Sequence, residues 1–263
     1  MFGRITPVVK NLLIVNVVIL IVQQFMQIDM SGMFGYRYPF ADTFQPFQIF
    51  TYMFVHADFW HLFSNMFALF IFGPMLEQTF GSNRFLVFYL ITGLGGGLIF
   101  GIVNFIEIQQ MESAIVSFSQ VPSSDTLLSF ALDYAPRLTE EGYTFVYETF
   151  PSNPDNAMYI ERAENFMSQI YQRAANMPMV GASGAVFGIL MAFGMLFPNL
   201  QLMLLFPPIP IKAKYLVTFY GLYEVYNTIK VSPDDNVAHI AHLGGMAFAF
   251  LLLKIWKIQS PYR

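Results

Sequence analysis

The sequence predicts an all-α polytopic membrane protein: a bundle of six transmembrane helices with an extracytoplasmic helical insertion between the third and the fourth. Hydrophobic residues make up 56% of the chain and charged residues only 11%, far below the roughly one quarter that is usual in soluble proteins. Six stretches approach the roughly 20 apolar residues that a helix needs to cross a bilayer. They lie at about 9–26, 57–76, 85–104, 182–198, 214–230 and 237–257.

The individual stretches differ in their surroundings. The first follows Arg4 and Lys10 and lacks a small-residue cleavage site, so we expect a retained span and not a removed signal peptide. The loop after it contains FGYRYPF and FQPFQIF, whose aromatic and basic residues suit the membrane interface. The fourth and fifth stretches are short and contain polar or small residues, so we expect neighbouring helices to shield them from lipid.

Lysine and arginine predict the orientation, because cytoplasmic loops carry an excess of basic residues. With the N-terminus inside, the short loops on the outer side hold only Arg37 and Lys230. The cytoplasmic side carries Arg4, Lys10, Arg84, Lys212, Lys214, Lys254, Lys257 and Arg263. We therefore expect a multi-pass protein of a bacterial cytoplasmic membrane with its N-terminus inside.

A long acidic connection, residues 105–178, separates the third and fourth spans and is expected outside the membrane. Its last part, NAMYIERAENFMSQIYQRAANM, predicts a helix, because apolar residues recur there at spacings of three or four. These residues are Tyr159, Ala163, Phe166, Ile170 and Ala174. We expect a small helical subdomain within a single membrane domain, 1–263. A disordered linker is the alternative, since SQVPSSD and TFPSNPDN are rich in turn formers.

Glycines four residues apart occur in two of the spans. Gly93, Gly97 and Gly101 form a stripe in the third span, and Gly184 and Gly188 form a GxxxG in the fourth. In lipid this spacing usually indicates close helix packing. Packing at that distance would bring the fourth span near the sixth.

Two polar motifs lie inside apolar stretches: GASGAVFG, which contains Ser183, and AHIAHLGG, which contains His239 and His242. A lone serine in a transmembrane helix is usually structural. A hydroxyl together with an imidazole is costly in a membrane, so the pair indicates chemistry. Small residues beside Ser183 allow close approach, and the free N–H groups of the helix that begins there suit an oxyanion.

The pattern GxSG followed by HxxGG, with HLFSN in the second span, resembles the rhomboid family of intramembrane serine proteases over most of the chain. The resemblance implies that Ser183 is the nucleophile and His242 its base. It places Gly245 and Ala249 of HLGGMAFA in the family's register, with Ala249 where the family often has glycine. His239 is then expected to have a structural or hydrogen-bonding role.

The resemblance also assigns His61 and Asn65, on one face of the second span, to the oxyanion site together with the Ser183 backbone N–H. By themselves these two residues would suggest an interhelical hydrogen-bonding pair. His56 is expected to have a supporting role at most. The other supporting positions are Gly181, Phe187 and Gly245, with Phe187 where the family stacks an aromatic ring on the base.

The resemblance requires no acidic partner for the base, so a triad with a buried aspartate fits poorly. Metal binding by the histidines competes with catalysis, but the chain has no HExxH, no cysteine and no carboxylate at ligand spacing. We expect neither a metal nor a cofactor. Glu77 and Gly81 match family positions, and we expect the charge to anchor the structure and not to act in catalysis.

The sequence thus predicts a serine endopeptidase that cuts other membrane proteins in or near their transmembrane helices by a Ser–His dyad, at a site open toward the outer face. Its expected partners are transmembrane protein substrates and the lipid bilayer, without nucleic acid, and the oligomeric state is left open. A catalytically silent rhomboid-like protein that binds and routes membrane helices is the alternative. A transporter fits less well, because the polar groups form no relay across the bilayer.

Overall fold

The computed structural model describes residues 5–203, 208–230 and 238–260; Arg4, Arg263 and residue 237, the predicted start of the sixth span, lie outside these ranges. The helices and strands are α1 (Pro7–Met26), α2 (Met30–Phe34), α3 (Gln48–Thr51), α4 (Phe59–Phe80), α5 (Ser82–Gln120), α6 (Ser124–Tyr134), α7 (Glu140–Thr144), α8 (Phe150–Ser152), α9 (Ala157–Asn176), α10 (Ser183–Leu196), β1 (Gln201–Met203), β2 (Pro210–Lys212), α11 (Ala213–Ile229) and α12 (His239–Ile255). A 3-10 turn, Tyr52–Phe54, follows α3, and a π-helical turn, Phe145–Thr149, precedes α8.

Helices α1, α4, α5, α10, α11 and α12 occupy the six predicted stretches and pack into a bundle. α10 lies in the middle, in contact with α4, α5, α11 and α12, and most of its residues are buried. Within the described residues, α1, α4 and α5 are long and apolar enough to cross a membrane, and α10 and α12 are shorter apolar helices. A helical membrane protein is therefore supported, whereas the count of six spans stays a prediction.

Glycines bring the backbones of α5, α10 and α12 together. A β-carbon at Gly245 would collide with the carbonyl oxygen of Gly184, and one at Gly96 would lie 2.5 Å from the carbonyl oxygen of Ala241. A side chain at either glycine would push the helices apart. This close packing places the start of α10 beside the start of α12.

Two glycines of the stripe in the third span contact tyrosine side chains, whereas the sequence predicted contact with another helix. Gly97 and Gly101 face the hydroxyl groups of Tyr52 and Tyr36, which a β-carbon at either position would meet. The loop between α1 and α4 folds back over α5, so the stripe receives tyrosine rings at these two positions and not another helix. The same loop forms an antiparallel bridge between Tyr36 and Met179.

Glu77, near the end of α4, holds the beginning of α1. Its carboxylate accepts hydrogen bonds from the backbone N–H groups of Val8, at 3.1 Å, and Val9, at 2.9 Å, and from the hydroxyl of Ser82 at 2.7 Å. The first N–H groups of a helix have no partner within it, and a negative charge is favourable there. The carboxylate is therefore a structural anchor that joins α1 to α4.

The insertion consists of described helices that pack around a second core, to which Tyr38 of the loop between α1 and α4 also contributes. α5 continues to Gln120, beyond the predicted end of the third span at 104, and α6 to α9 pack with its last turns. Phe118, Phe150 and Met167 are completely buried there. The predicted helix is α9, whose Ala163 is buried and whose Tyr159, Phe166, Ile170 and Ala174 pack partly buried against the same core. The segment is helical in this structure, and its standing as a subdomain outside the membrane stays a prediction.

The expectation of a purely α-helical chain misses one feature. β1 and β2 form an antiparallel pair after α10, in which Leu202 lies opposite Ile211. Residues 204–207, between the strands, lie outside the described part of the chain. Pro208 and Pro210 disfavour a helix at the start of β2, because proline has no N–H group and its ring clashes with the preceding turn.

Candidate active site

The hydroxyl of Ser183 and the imidazole of His242 meet at the ends of two helices. Ser183 Oγ lies 2.8 Å from His242 Nε2. Ser183 is the first residue of α10, and His242 lies in the first turn of α12. His242 is buried, whereas Ser183 is half-buried. The contact has the length and the partners that proton transfer from a hydroxyl to an imidazole requires.

The ring of Phe187 fixes the orientation of the histidine. It lies parallel to the His242 ring, with the ring centres 4.2 Å apart and an angle of 7° between the planes. Phe187 is one helical turn after Ser183, so the same helix carries the hydroxyl and the surface that supports its partner. Tyr220 of α11 packs edge-on against Phe187, with ring centres 6.4 Å apart.

Two hydrogen bonds hold the turn before Ser183, one to Tyr52 of the 3-10 turn and one to His56, which precedes α4. The backbone N–H of Gly181 donates to the carbonyl oxygen of Tyr52 at 2.9 Å, and the backbone N–H of Ala182 donates to His56 Nε2 at 3.5 Å. Burial is the main cause that lowers the pKa of His56, to about 3, so the ring is neutral and accepts this bond. His56 thus contacts the turn that leads into Ser183, and its supporting role in catalysis stays a prediction.

Gly181 has a backbone φ of +116°, a conformation that favours glycine. A β-carbon at this position would lie 2.5 Å from His61 Nε2. Glycine is therefore needed here for two reasons, the backbone conformation and the approach of the His61 ring. This arrangement brings His61 of α4 next to the residues that lead into Ser183.

Asn65 is buried on the same face of α4. One of its Nδ2 hydrogens is donated to the carbonyl oxygen of His61 at 3.0 Å. An amide nitrogen carries two hydrogens, so a second one is available for another acceptor. α4 packs against α10, and the N–H groups of the first turn of α10 include that of Ser183. The groups predicted for the oxyanion site thus come from two helices in contact.

Glu224 is the residue that sequence reasoning missed. It lies on α11, and its Oε2 is 2.9 Å from His242 Nδ1 and 2.5 Å from His239 Nδ1. All three side chains are buried. The sequence predicted no carboxylate close enough to the histidines to bind a metal with them. That prediction is wrong, because α11 packs against α12 and brings Glu224 to both histidines. A single glutamate in an apolar stretch was the available signal, since such a charge is costly in a membrane unless it is paired.

A model of the rhomboid domain matches residues 43–108 and 158–257 of the chain. The chain belongs to the rhomboid family. The matched segments of this rhomboid contain every residue of the site described above, and the interval between them, 109–157, falls within the insertion.

Curated rhomboid proteins match the chain over different lengths. An uncharacterized mitochondrial rhomboid protein of Schizosaccharomyces pombe is 29% identical over 220 residues, which are 80% of this chain and 51% of that protein. The mitochondrial RHOMBOID-like protein 6 of Arabidopsis thaliana is 46% identical over 52 residues, 20% of this chain and 17% of that protein. RHOMBOID-like protein 1 of the same plant is 39% identical over 57 residues, 22% and 15% of the two chains. The rhomboid described here spans about half, or less, of the length of these relatives.

Family membership and the apolar helices support an integral membrane location. These relatives come from Schizosaccharomyces pombe and Arabidopsis thaliana, and two of them are named as mitochondrial. The expectation of a bacterial membrane is therefore not borne out. The orientation in the membrane stays a prediction.

Proposed function

We propose that this rhomboid is an intramembrane serine endopeptidase that hydrolyses peptide bonds in or near the transmembrane helices of other membrane proteins. The observation that carries the proposal is the 2.8 Å contact between Ser183 Oγ and His242 Nε2, with the Phe187 ring stacked on the histidine. A serine hydroxyl is a weak nucleophile until a base removes its proton. The contact supplies such a base within a bundle of apolar helices.

The reaction takes place in two balanced steps. As Ser183 Oγ attacks the carbonyl carbon of the substrate, its proton moves to His242 Nε2; the C–N bond then breaks, and the leaving amine takes that proton. Water next attacks the carbonyl carbon of the acyl-enzyme and gives one proton to His242; the bond between that carbon and Ser183 Oγ then breaks and releases the new carboxyl terminus. The proton returns to Ser183 Oγ and regenerates the free site.

The negative oxygen of each tetrahedral intermediate needs hydrogen-bond donors. The Ser183 backbone N–H in the first turn of α10 and the side chains of His61 and Asn65 are the donors that we assign to it. A donor that acts on charge present only in the transition state contributes about 3 kcal/mol. Gly181 supports this assignment, since its missing β-carbon leaves room for the His61 ring.

The substrates are membrane-spanning segments in the lipid bilayer. A helix satisfies its own backbone hydrogen bonds, so a substrate helix has to unwind before Ser183 reaches a carbonyl carbon. Glycine and other helix-destabilising residues near the cleaved bond lower the cost of unwinding. We therefore propose a preference for such residues around the cleavage site.

The test uses the full chain in liposomes with a model transmembrane substrate and, separately, a small fluorophosphonate probe that labels reactive serines. Ser183→Ala and His242→Ala are expected to abolish cleavage and labelling while the protein remains folded. Ser117→Ala is the matched control, because the Ser117 hydroxyl donates to the carbonyl oxygen of Ser113 on its own helix, away from His242. Cleavage by Ser183→Ala would end the proposal. A folded wild type that binds the substrate without cleaving it or reacting with the probe would establish the silent binding protein instead.

A further inference from the structure

The site holds a carboxylate that the two-residue mechanism does not use. We infer that Glu224 is a positioning residue for the proposed hydrolysis: it holds the Nδ1–H of His242, so that the unprotonated Nε2 faces Ser183. The inference rests on the proposed function. It extends the reacting pair to a chain of three side chains from α10, α12 and α11.

Hydrogen-bond chemistry fixes the direction of each contact. An ionised carboxylate only accepts hydrogen bonds, so His242 donates its Nδ1–H to Glu224 Oε2 across 2.9 Å. A neutral imidazole with its hydrogen on Nδ1 has a free lone pair on Nε2. That lone pair lies 2.8 Å from Ser183 Oγ, where a general base has to be.

Charge gives Glu224 a second effect on the same step. When Nε2 takes the serine proton, the His242 ring becomes a cation. The His242 side chain is 7% exposed and that of Glu224 4%, so little water is present to solvate that cation. An adjacent carboxylate stabilises the imidazolium without taking the proton itself. The effect appears in the transition state and is therefore expected in kcat more than in KM.

His239 supports the carboxylate. A buried carboxylate is costly unless it is hydrogen-bonded, and His239 Nδ1 lies 2.5 Å from the same Oε2 that His242 contacts. Both histidines thus share one oxygen of Glu224. The two histidines of AHIAHLGG then have separate roles: His242 is the base, and His239 holds the carboxylate that orients it.

The test compares steady-state cleavage of a model transmembrane substrate by the full chain in liposomes. Glu224→Gln is expected to lower kcat at least about tenfold, within the roughly 10⁴-fold that loss of a triad carboxylate costs, and to change KM less than about threefold. Glu224→Asp keeps the charge and is expected to recover part of kcat. Glu77→Gln is the matched control, because it neutralises another buried glutamate, on α4, and is expected to leave kcat of the folded protein unchanged.

Wild-type kcat in folded Glu224→Gln would overturn the inference. A loss of activity that only follows the loss of folded protein would do the same, since it would reduce Glu224 to a clamp between α11 and α12. If Glu224→Gln does not fold, the kcat of Glu224→Met is measured instead and is again expected to fall at least about tenfold. Replacing a buried charge by an apolar residue of similar volume is often tolerated, so this variant is expected to fold. An inactive Ser183→Ala beside a fully active Glu224→Gln would end this inference alone, whereas an active Ser183→Ala would end the proposed function.

A metal ion is the competing explanation for the same residues. Glu224, His239 and His242 present ligand atoms that lie within 4.8 Å of one another, and two histidines with a glutamate are a set that binds Zn²⁺. The inference predicts that treatment with a chelator leaves the cleavage rate unchanged. A rate lost on chelation and restored by Zn²⁺ would overturn it in favour of a metal centre.

Discussion

Gly245 of α12 rests against the backbone of Gly184 in α10, with no room for a β-carbon between them. Gly184 directly follows Ser183, and Gly245 lies three residues after His242. The contact between the two glycines therefore sets the distance between the hydroxyl and the imidazole. The packing of α10 on α12 and the geometry of the site thus depend on the same contact.

Gly245→Ala is expected to lower the free energy of unfolding by about 1–3 kcal/mol, because the added methyl group has to displace a backbone. It is also expected to lower kcat, because it separates Ser183 from His242. Unfolding in a denaturing detergent and substrate cleavage measure the two effects. Gly221→Ala is the control: its β-carbon would meet only the end of the flexible Met246 side chain, at 3.2 Å. Equal behaviour of the two variants would contradict the prediction.

Asn65→Ala and His61→Ala are each expected to lower kcat about 100-fold, because their proposed donors act on charge that exists only in the transition state. Stability is expected to change much less than kcat. Asn16→Ala is the matched control for the amide, since Asn16 Nδ2 donates to the carbonyl oxygen of Leu12 at 2.7 Å in the same four-residue pattern. Proportional losses of folding and turnover in Asn65→Ala would assign that residue to helix packing.

Glu77→Ala is expected to destabilise the protein by about 2 kcal/mol, because two backbone N–H groups at the start of α1 lose a charged acceptor. Turnover by the molecules that remain folded should not change. Thermal unfolding gives the first quantity. For the second, the cleavage rate of an unlabelled sample is divided by the number of active sites, which labelling of a parallel sample with the fluorophosphonate probe counts. A lower rate per active site would show that this end of the bundle influences the site.

Replacing residues 109–176 by a short Gly/Ser connection is expected to change the relative rates on different membrane substrates. Labelling of Ser183 by the small probe should remain near that of the full chain, because the chemistry resides in the bundle. The physical reason is length: a connection this long usually serves as a functional lid or as a linker, and here its helices pack around a core separate from that of the bundle. Unchanged rates on every substrate would refute a role in substrate choice, and proteolysis of the insertion only from the cytoplasmic side would refute its predicted location.

The sequence was sufficient for features that depend on local pattern. The apolar spacing in α9 predicted its helix and its buried face, and this signal lies within one continuous segment. The pairing of Ser183 with His242 joins two separate segments, and it was implied by the resemblance to the rhomboid family. Hydrophobic periodicity and small-residue spacing report such local features directly.

Features that depend on how segments cross were not accessible. Glu224 precedes His242 by 18 residues, and their contact follows from the angle between α11 and α12, which no local pattern encodes. The use of Gly97 and Gly101 likewise depends on where a distant loop places Tyr52 and Tyr36. The β1–β2 pair forms between two strands of three residues each. Neither strand is long enough to show a hydrophobic pattern in the sequence.

α5 is a single helix of 39 residues. At 1.5 Å per residue it measures about 58 Å, nearly twice the roughly 30 Å of a hydrocarbon core. The first half of the helix carries Gly96, packed against α12, and the last turns contribute to the core of the insertion. One continuous helix therefore connects the core of the insertion to the helix of the proposed base. A connection of the same length without secondary structure would leave these two parts of the chain unlinked by backbone hydrogen bonds.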